Sequence, residues 1–177
     1  MLSRINAVAI AILAVVVRDV AAEKHTITFT NDCEVGLGTP VLMQGDNTLS
    51  TGPQPFTIDG PLVGAIAFLQ TGRCGGFGGL PGNGCGIVEI NLVDPSMSGS
   101  NSTADISLIF PFPFNVVLGF EYFNGCDGLG ANCTDDACPG ARHVPTDIAQ
   151  IITCDADNVG LAISFCALPE TIPTVQS

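Results

Sequence analysis

Eight cysteines, every one of them C-terminal to residue 32, limit what this chain can become more than any other feature. An even set in a small chain reads as a disulfide framework laid down in an oxidising compartment, and eight thiols leave more than a hundred pairings open. Zinc is the rival reading. Only Thr134 to Ala137 separate Cys133 from Cys138, but no second paired set accompanies them and the two histidines, His25 and His143, stand apart. No metal site is expected on that basis.

The N-terminal segment agrees with that compartment. Residues 1–22 read as a secretory signal, with Arg4 near the start, an uncharged apolar run from Ala7 to Val17, and Val20, Ala21 and Ala22 before the expected cleavage point. The run is too short to span a bilayer, and residues 167–177 are too polar for a lipid-anchor signal. The expected product is therefore secreted, extracellular or held in a cell wall, with one domain over residues 23–166 and a flexible tail over 167–177. Its length suits a single core, and a monomer is expected.

Charge narrows the partners. The 177-residue chain has 5 Lys and Arg against 17 Asp and Glu; once Arg4, Arg18 and Asp19 leave with the signal, 3 basic residues face 16 acidic ones. Nothing in it supplies the cationic groove that a polynucleotide needs, and anionic membranes repel it. There is no Gly-x-Ser-x-Gly elbow, phosphate loop or dinucleotide fingerprint, so no cofactor is expected.

Patterning is all-β. His25 to Cys33 alternates Thr with Ile and Phe, the period of a half-buried strand, and ends on Asn31 and Asp32. Thr39 to Gly52 reads as two strands about a Gly-Asp-Asn turn, and Pro61 to Cys74 as an apolar strand in which Gly64 marks close packing or a bulge. Gly75 to Gly86 holds seven glycines in twelve residues and reads as a mobile loop. Gly86 to Asp94 is a strand carrying Glu89. From Ala104, an apolar run opened by Asp105 passes Pro111 and Pro113, which break any ladder, and resumes from Phe114 to Phe123: two strands about a corner. Strands over Ala149–Cys154 and Asn158–Cys166 finish the chain. Many short strands with Gly and Pro turns make a β-sandwich or flattened barrel.

Three stretches carry a resemblance. The strand ending "FTNDC", the run "ADISLIFPFPFNVVLGFEYFNGC", and "CPGARHVPTDIAQIITC" followed by "LAISFC" resemble, in order, the thaumatin-like (osmotin, PR-5) proteins, and most nearly their small secreted fungal members. The resemblance covers nearly all of Lys24 to Cys166. Full-length members carry a second disulfide-rich lobe where this chain has only "TDDA", so a disulfide-tied β-sandwich with that lobe largely deleted is implied. By position the resemblance also implies four bridges: Cys33–Cys166, Cys74–Cys85, Cys126–Cys154 and Cys133–Cys138.

The same resemblance implies a function. Full-length members present an acidic cleft of one Arg, one Glu and three Asp, associated with binding β-1,3-glucan and in some members with slow hydrolysis. Its Glu falls on Glu89, two of its Asp on Asp105 and Asp147, its Arg on Gln70 and its third Asp on Ser102. β-Glucan is thus the implied partner, with Glu89 and Asp105 as the candidate catalytic pair if any hydrolysis occurs. Glycoside hydrolysis needs one carboxyl kept protonated beside one that is ionised. With Gln70 in place of the Arg and Ser102 in place of an Asp, both carboxyls are expected to ionise near their ordinary values, leaving binding without an acid catalyst. The competing readings are a weak endo-β-1,3-glucanase and a non-catalytic structural or effector glycoprotein whose carboxylates only solvate a sheet face.

Smaller features complete the inventory. Asp127, Asp135 and Asp136 fit no ordered calcium loop and read as solvated turns. Tyr122 and the phenylalanines at 110, 112, 114, 120 and 123 could stack on sugar rings, though strand alternation turns about half inward. Asn101-Ser102-Thr103 is an acceptor sequon expected to carry a glycan, whereas a bridged Cys133 should hinder the sequon at Asn132.

Overall fold

Burial alternates along the opening strand as its sequence predicts: His25, Ile27 and Phe29 turn inward while Thr26, Thr28 and Thr30 face out or lie at the rim. The same logic builds the rest of a computed structural model that describes residues 22–75 and 80–167. Residues 1–21 of the signal expected over 1–22, four residues of the glycine loop and the expected tail beyond 167 lie outside the described residues. The strands are β1 (Lys24–Asn31), β2 (Gly38–Gln44), β3 (Asn47–Thr51), β4 (Phe56–Asp59), β5 (Leu62–Thr71), β6 (Ile87–Leu92), β7 (Ser102–Ser107), β8 (Leu118–Phe123), β9 (Gly130–Cys133), β10 (Ala141–Arg142), β11 (Ile152–Cys154) and β12 (Gly160–Phe165).

They form two sheets. One is five-stranded in the order β4-β1-β12-β8-β9, and the other runs β10-β7-β6-β5-β2-β3, with β11 also pairing to β7. Their inner faces enclose the core, to which β6 gives Val88, Ile90 and Leu92, β7 gives Ala104 and Ile106, β8 gives Leu118, Phe120 and Tyr122, and β12 gives Leu161, Ile163 and Phe165. A second, smaller cluster of Val41, Phe68, Ile87 and the Cys74–Cys85 bridge lies on the outer face of the larger sheet.

Several local forecasts need adjusting. The run from Phe114 becomes strand only at Leu118, because residues 108–117 cross from one sheet to the other and are pinned by Asn115, whose carboxamide oxygen accepts the Gly86 N–H at 2.9 Å. At Pro95–Ser98, which the strand pattern leaves unassigned, the chain makes one helical turn capped by Gly99. A 3-10 turn over Ile148–Gln150 shortens the strand before Cys154. At Gly64 the β5–β6 register slips, with the glycine at φ 67°, a left-handed conformation that side chains resist.

The four disulfides are the pairs the resemblance implies: Cys33–Cys166, Cys74–Cys85, Cys126–Cys154 and Cys133–Cys138. They differ in leverage. Cys33–Cys166 spans 133 residues and locks the ends of two adjacent parallel strands, while Cys133–Cys138 spans 5. In the chain-entropy picture, replacing the first pair by serines costs about 5 kcal/mol and replacing the second about 2 kcal/mol. Guanidinium unfolding of the two double variants checks the order; equal losses would place the stabilisation outside loop closure.

Candidate functional site

Register puts the candidate carboxylates together. β6 and β7 are antiparallel with Glu89 directly opposite Asp105, and because the residues flanking each are buried in the core, both side chains emerge on the outer face. Opposed like charges in a sheet repel. The repulsion is relieved by Arg142 of β10, whose Nη1 donates to Glu89 Oε2 at 2.9 Å and to Asp105 Oδ2 at 3.4 Å. β10 runs parallel to β7 with Arg142 beside Ser107, which carries the guanidinium over the pair.

This corrects the expectation of two carboxyls without a cation. Gln70 does stand exposed on the same outer face, as its parity with Ile66 opposite Glu89 requires. The cation comes from another strand. The forecast of ordinary ionisation fails with it, since Asp105, only 5% exposed, has its pKa pushed up to about 6. Burial is the main cause and the charge of Glu89 the next, with Arg142 pulling the other way by charge and hydrogen bond.

Other carried-over positions do different work. Ser102 is fully buried and is not available to a ligand: its hydroxyl donates to the Val93 carbonyl at 3.0 Å and accepts the Val93 N–H at 2.9 Å, closing the β6–β7 connection. Asp147 accepts the N–H groups of His143 at 2.9 Å and Val144 at 3.0 Å, which hold its carboxyl below the usual range. It closes the turn that follows Arg142, while Arg142 Nη2 reaches the Pro145 carbonyl at 3.3 Å. Asp147 therefore shapes the segment holding the cation. Asp127 likewise accepts the N–H groups of Asn124 and Gly125, as a turn residue does.

Tyr122 is no stacking platform. It is fully buried, and its hydroxyl donates to the Ile152 carbonyl at 3.1 Å. Phe110, at 93% exposed, is free to stack. It lines a shallow apolar hollow of about 720 Å³ with Leu80, Leu108, Pro111 and Pro113. Leu108 ties this hollow to the charged group, since its N–H donates to the Arg142 carbonyl at 2.8 Å.

Sequence reasoning missed Arg142. Its strand is two residues long and has no periodicity to read. Scarcity was the available signal, since beyond residue 22 only Lys24, Arg73 and Arg142 are basic and each should be placed with care.

No protein-family model and no curated protein matches the chain. Among solved structures it is similar to a thaumatin-like xylanase inhibitor, TLXI, with a TM-score of 0.52 and 21% identity over 81% of this chain and 99% of that one. The fold is thaumatin-like. Two packed sheets and four disulfides belong with it, and the disulfides fit an extracellular protein. Within this thaumatin-like sandwich the charged group sits on the outer face of the larger sheet.

A pH dependence follows. Because folding raises the Asp105 pKa from 3.8 to about 6, its protonated form favours the folded state; that contribution is complete below 3.8 and is lost as pH rises through about 6. Arg142→Gln removes the cation that pulls this value down, so the midpoint of Asp105 should move above the wild-type one. Carboxyl carbon NMR titration checks it, and an unmoved midpoint would release Arg142 from this role.

Proposed function

We propose that the protein is secreted and binds cell-wall β-1,3-glucan through the outer face of its larger sheet, without hydrolysing it appreciably. The observation that carries this reading is the Arg142 bridge between Glu89 and Asp105 on that face. Sugar hydroxyls both donate and accept, so a guanidinium flanked by two carboxylates offers partners of each kind. Glu89 keeps 35% of its side chain exposed and remains open to such a hydroxyl. Phe110, beyond Leu108, supplies an apolar ring for stacking on a sugar face.

Slow hydrolysis is the second reading, and the raised pKa of Asp105 favours it. A carboxyl that holds its proton to about pH 6 beside a second carboxyl is the contrast that a glycosidase acid needs. Spacing argues against the inverting form, while the retaining form, with carboxyls about 5–5.5 Å apart, is opposed only by the position of the guanidinium. Both carboxylate oxygens lie on one nitrogen, at 2.9 and 3.4 Å, and so are no farther apart than those two distances laid end to end. That falls short of the roughly 6.5–9.5 Å that admits a water in inverting enzymes. The guanidinium also occupies the space between them, where a scissile bond would have to lie.

Insoluble β-1,3-glucan should retain the wild-type protein, and Arg142→Ala and Phe110→Ala should each weaken retention about tenfold in a depletion assay. Reducing sugar should not rise above background. Release abolished by Glu89→Gln would instead establish the glucanase, and wild-type protein left wholly in the supernatant would leave the structural or effector glycoprotein as the reading.

Asn101 is exposed and lies immediately before β7, four residues ahead of Asp105. A glycan there would flank the binding face. Intact mass before and after deglycosylation of the secreted protein should differ by one N-glycan, and Asn101→Gln should abolish that difference.

A further inference from the structure

At the end of β1 remote from Cys33, the sandwich buries a group that the outer face does not use. His25 is 0% exposed, Asp94 2% and Glu23 8%. His25 Nε2 lies 3.1 Å from Glu23 Oε1 and 3.8 Å from Asp94 Oδ1, and one ligand atom from each of the three residues falls within 4.8 Å of the other two. We propose that Glu23, His25 and Asp94 bind one divalent transition-metal ion of the Zn²⁺ type, clamping the two sheets together.

Each ligand is held from behind. His25 Nδ1 lies 2.8 Å from the Val159 carbonyl, which can only accept; Nδ1 therefore carries the proton, and the lone pair of a neutral ring turns to Nε2, toward the carboxylates. Glu23 Oε1 accepts the Asp94 N–H at 2.8 Å, and Asp94 Oδ1 accepts the Asn158 N–H at 2.5 Å. Outer hydrogen bonds of this kind orient metal ligands. Tetrahedral Zn²⁺, bound to N and O at about 2.0–2.2 Å, sets its ligand atoms roughly 3.3–3.5 Å apart. The distances of 3.1 and 3.8 Å bracket that value.

Charge points the same way. With the imidazole neutral, two buried carboxylates would leave two negative charges, and among the described residues no Lys or Arg forms an ion pair with them. Buried charge without a counter-charge is costly, and a divalent ion supplies it in full. Imidazole with carboxylates suits Zn²⁺, which needs no redox control in an oxidising compartment. The competing arrangement is an imidazolium, with a proton in place of the metal. The ion would link β1, in the smaller sheet, to the segment after β6, in the larger one.

The test uses the secreted, disulfide-bonded protein, since cleavage after Ala22 would place a new α-amine on Glu23 itself. After stripping with a chelator, calorimetric titration with ZnCl₂ should find one ion per chain, with a rise of several degrees in melting temperature at excess metal. His25→Gln and Asp94→Asn should each weaken binding at least tenfold. Asparagine at 94 still offers an oxygen to the Asn158 N–H, so this variant should fold, as circular dichroism will show. The nitrogen chemical shift of His25 Nε2 in the wild type needs no variant and should move on adding Zn²⁺. No uptake by stripped wild type, an unmoved His25 resonance, or both variants binding as wild type would each overturn the site.

Discussion

The first strand and the last lie side by side, and the smaller sheet depends on that pairing. β12 runs parallel to β1 from Ile27–Leu161 to Asn31–Phe165 on one side and antiparallel to β8 on the other, so the central strand of this sheet is the last one made. No other strand joins β4 and β1 to β8 and β9. Such long-range pairing carries a large loop-closure entropy that only burial can offset. Ile27, Leu161, Ile163 and Phe165 supply it, all 1% exposed or less, and Cys33–Cys166 fixes the pair just beyond its end. Close approach is also needed at Gly160, where a Cβ would meet the Phe123 ring at 2.2 Å.

Core burial in the larger sheet produces the charged face as a by-product of register. Val88 and Ile90 on β6, and Ala104 and Ile106 on β7, must all point inward, and a slip of one residue would turn Glu89 or Asp105 into the core. The apolar pattern thereby forces two carboxylates into opposition. Burial raises the Asp105 pKa most, and opposition to Glu89 raises it further. The arrangement holds because Arg142 hydrogen-bonds both carboxylates at once; guanidinium suits this task, being planar and permanently charged.

These features divide into those legible in the sequence and those that were not. Alternation in His25–Thr30 and Gly86–Asp94, and the break at Pro111 and Pro113, gave strands and a corner because they reflect local burial and the missing N–H of proline. The resemblance supplied the bridging pattern and the pair Glu89 and Asp105, which strand periodicity alone would not have joined. Where position was transferred without its surroundings, it misled. Ser102 aligns with a cleft residue but lies fully buried, holding the β6–β7 connection, and Gln70 aligns with an arginine whose place is filled from a two-residue strand near the other end of the chain. His25 was legible as an inward-facing strand residue, but its carboxylate Asp94 lies far along the chain, beyond reach of any spacing rule.

Scarcity of cations sharpens what each one does. Lys24 meets Asp59 at 3.7 Å with both side chains more than half exposed, a pairing that solvent and salt reduce to well under about 1 kcal/mol. Arg142 has a side chain 13% exposed and two carboxylate partners, so its removal would leave Asp105 buried beside Glu89 with no counter-charge. The buried group at Glu23, His25 and Asp94 has no such residue. If an acidic chain balances one buried anionic group with arginine and provides no basic side chain for the other, the second balance must come from the histidine's own proton, from the α-amine that cleavage before Glu23 would create, or from outside the chain. The side chains of Glu23, His25 and Asp94 are arranged to receive a proton or a metal ion, and a single divalent ion supplies both positive charges.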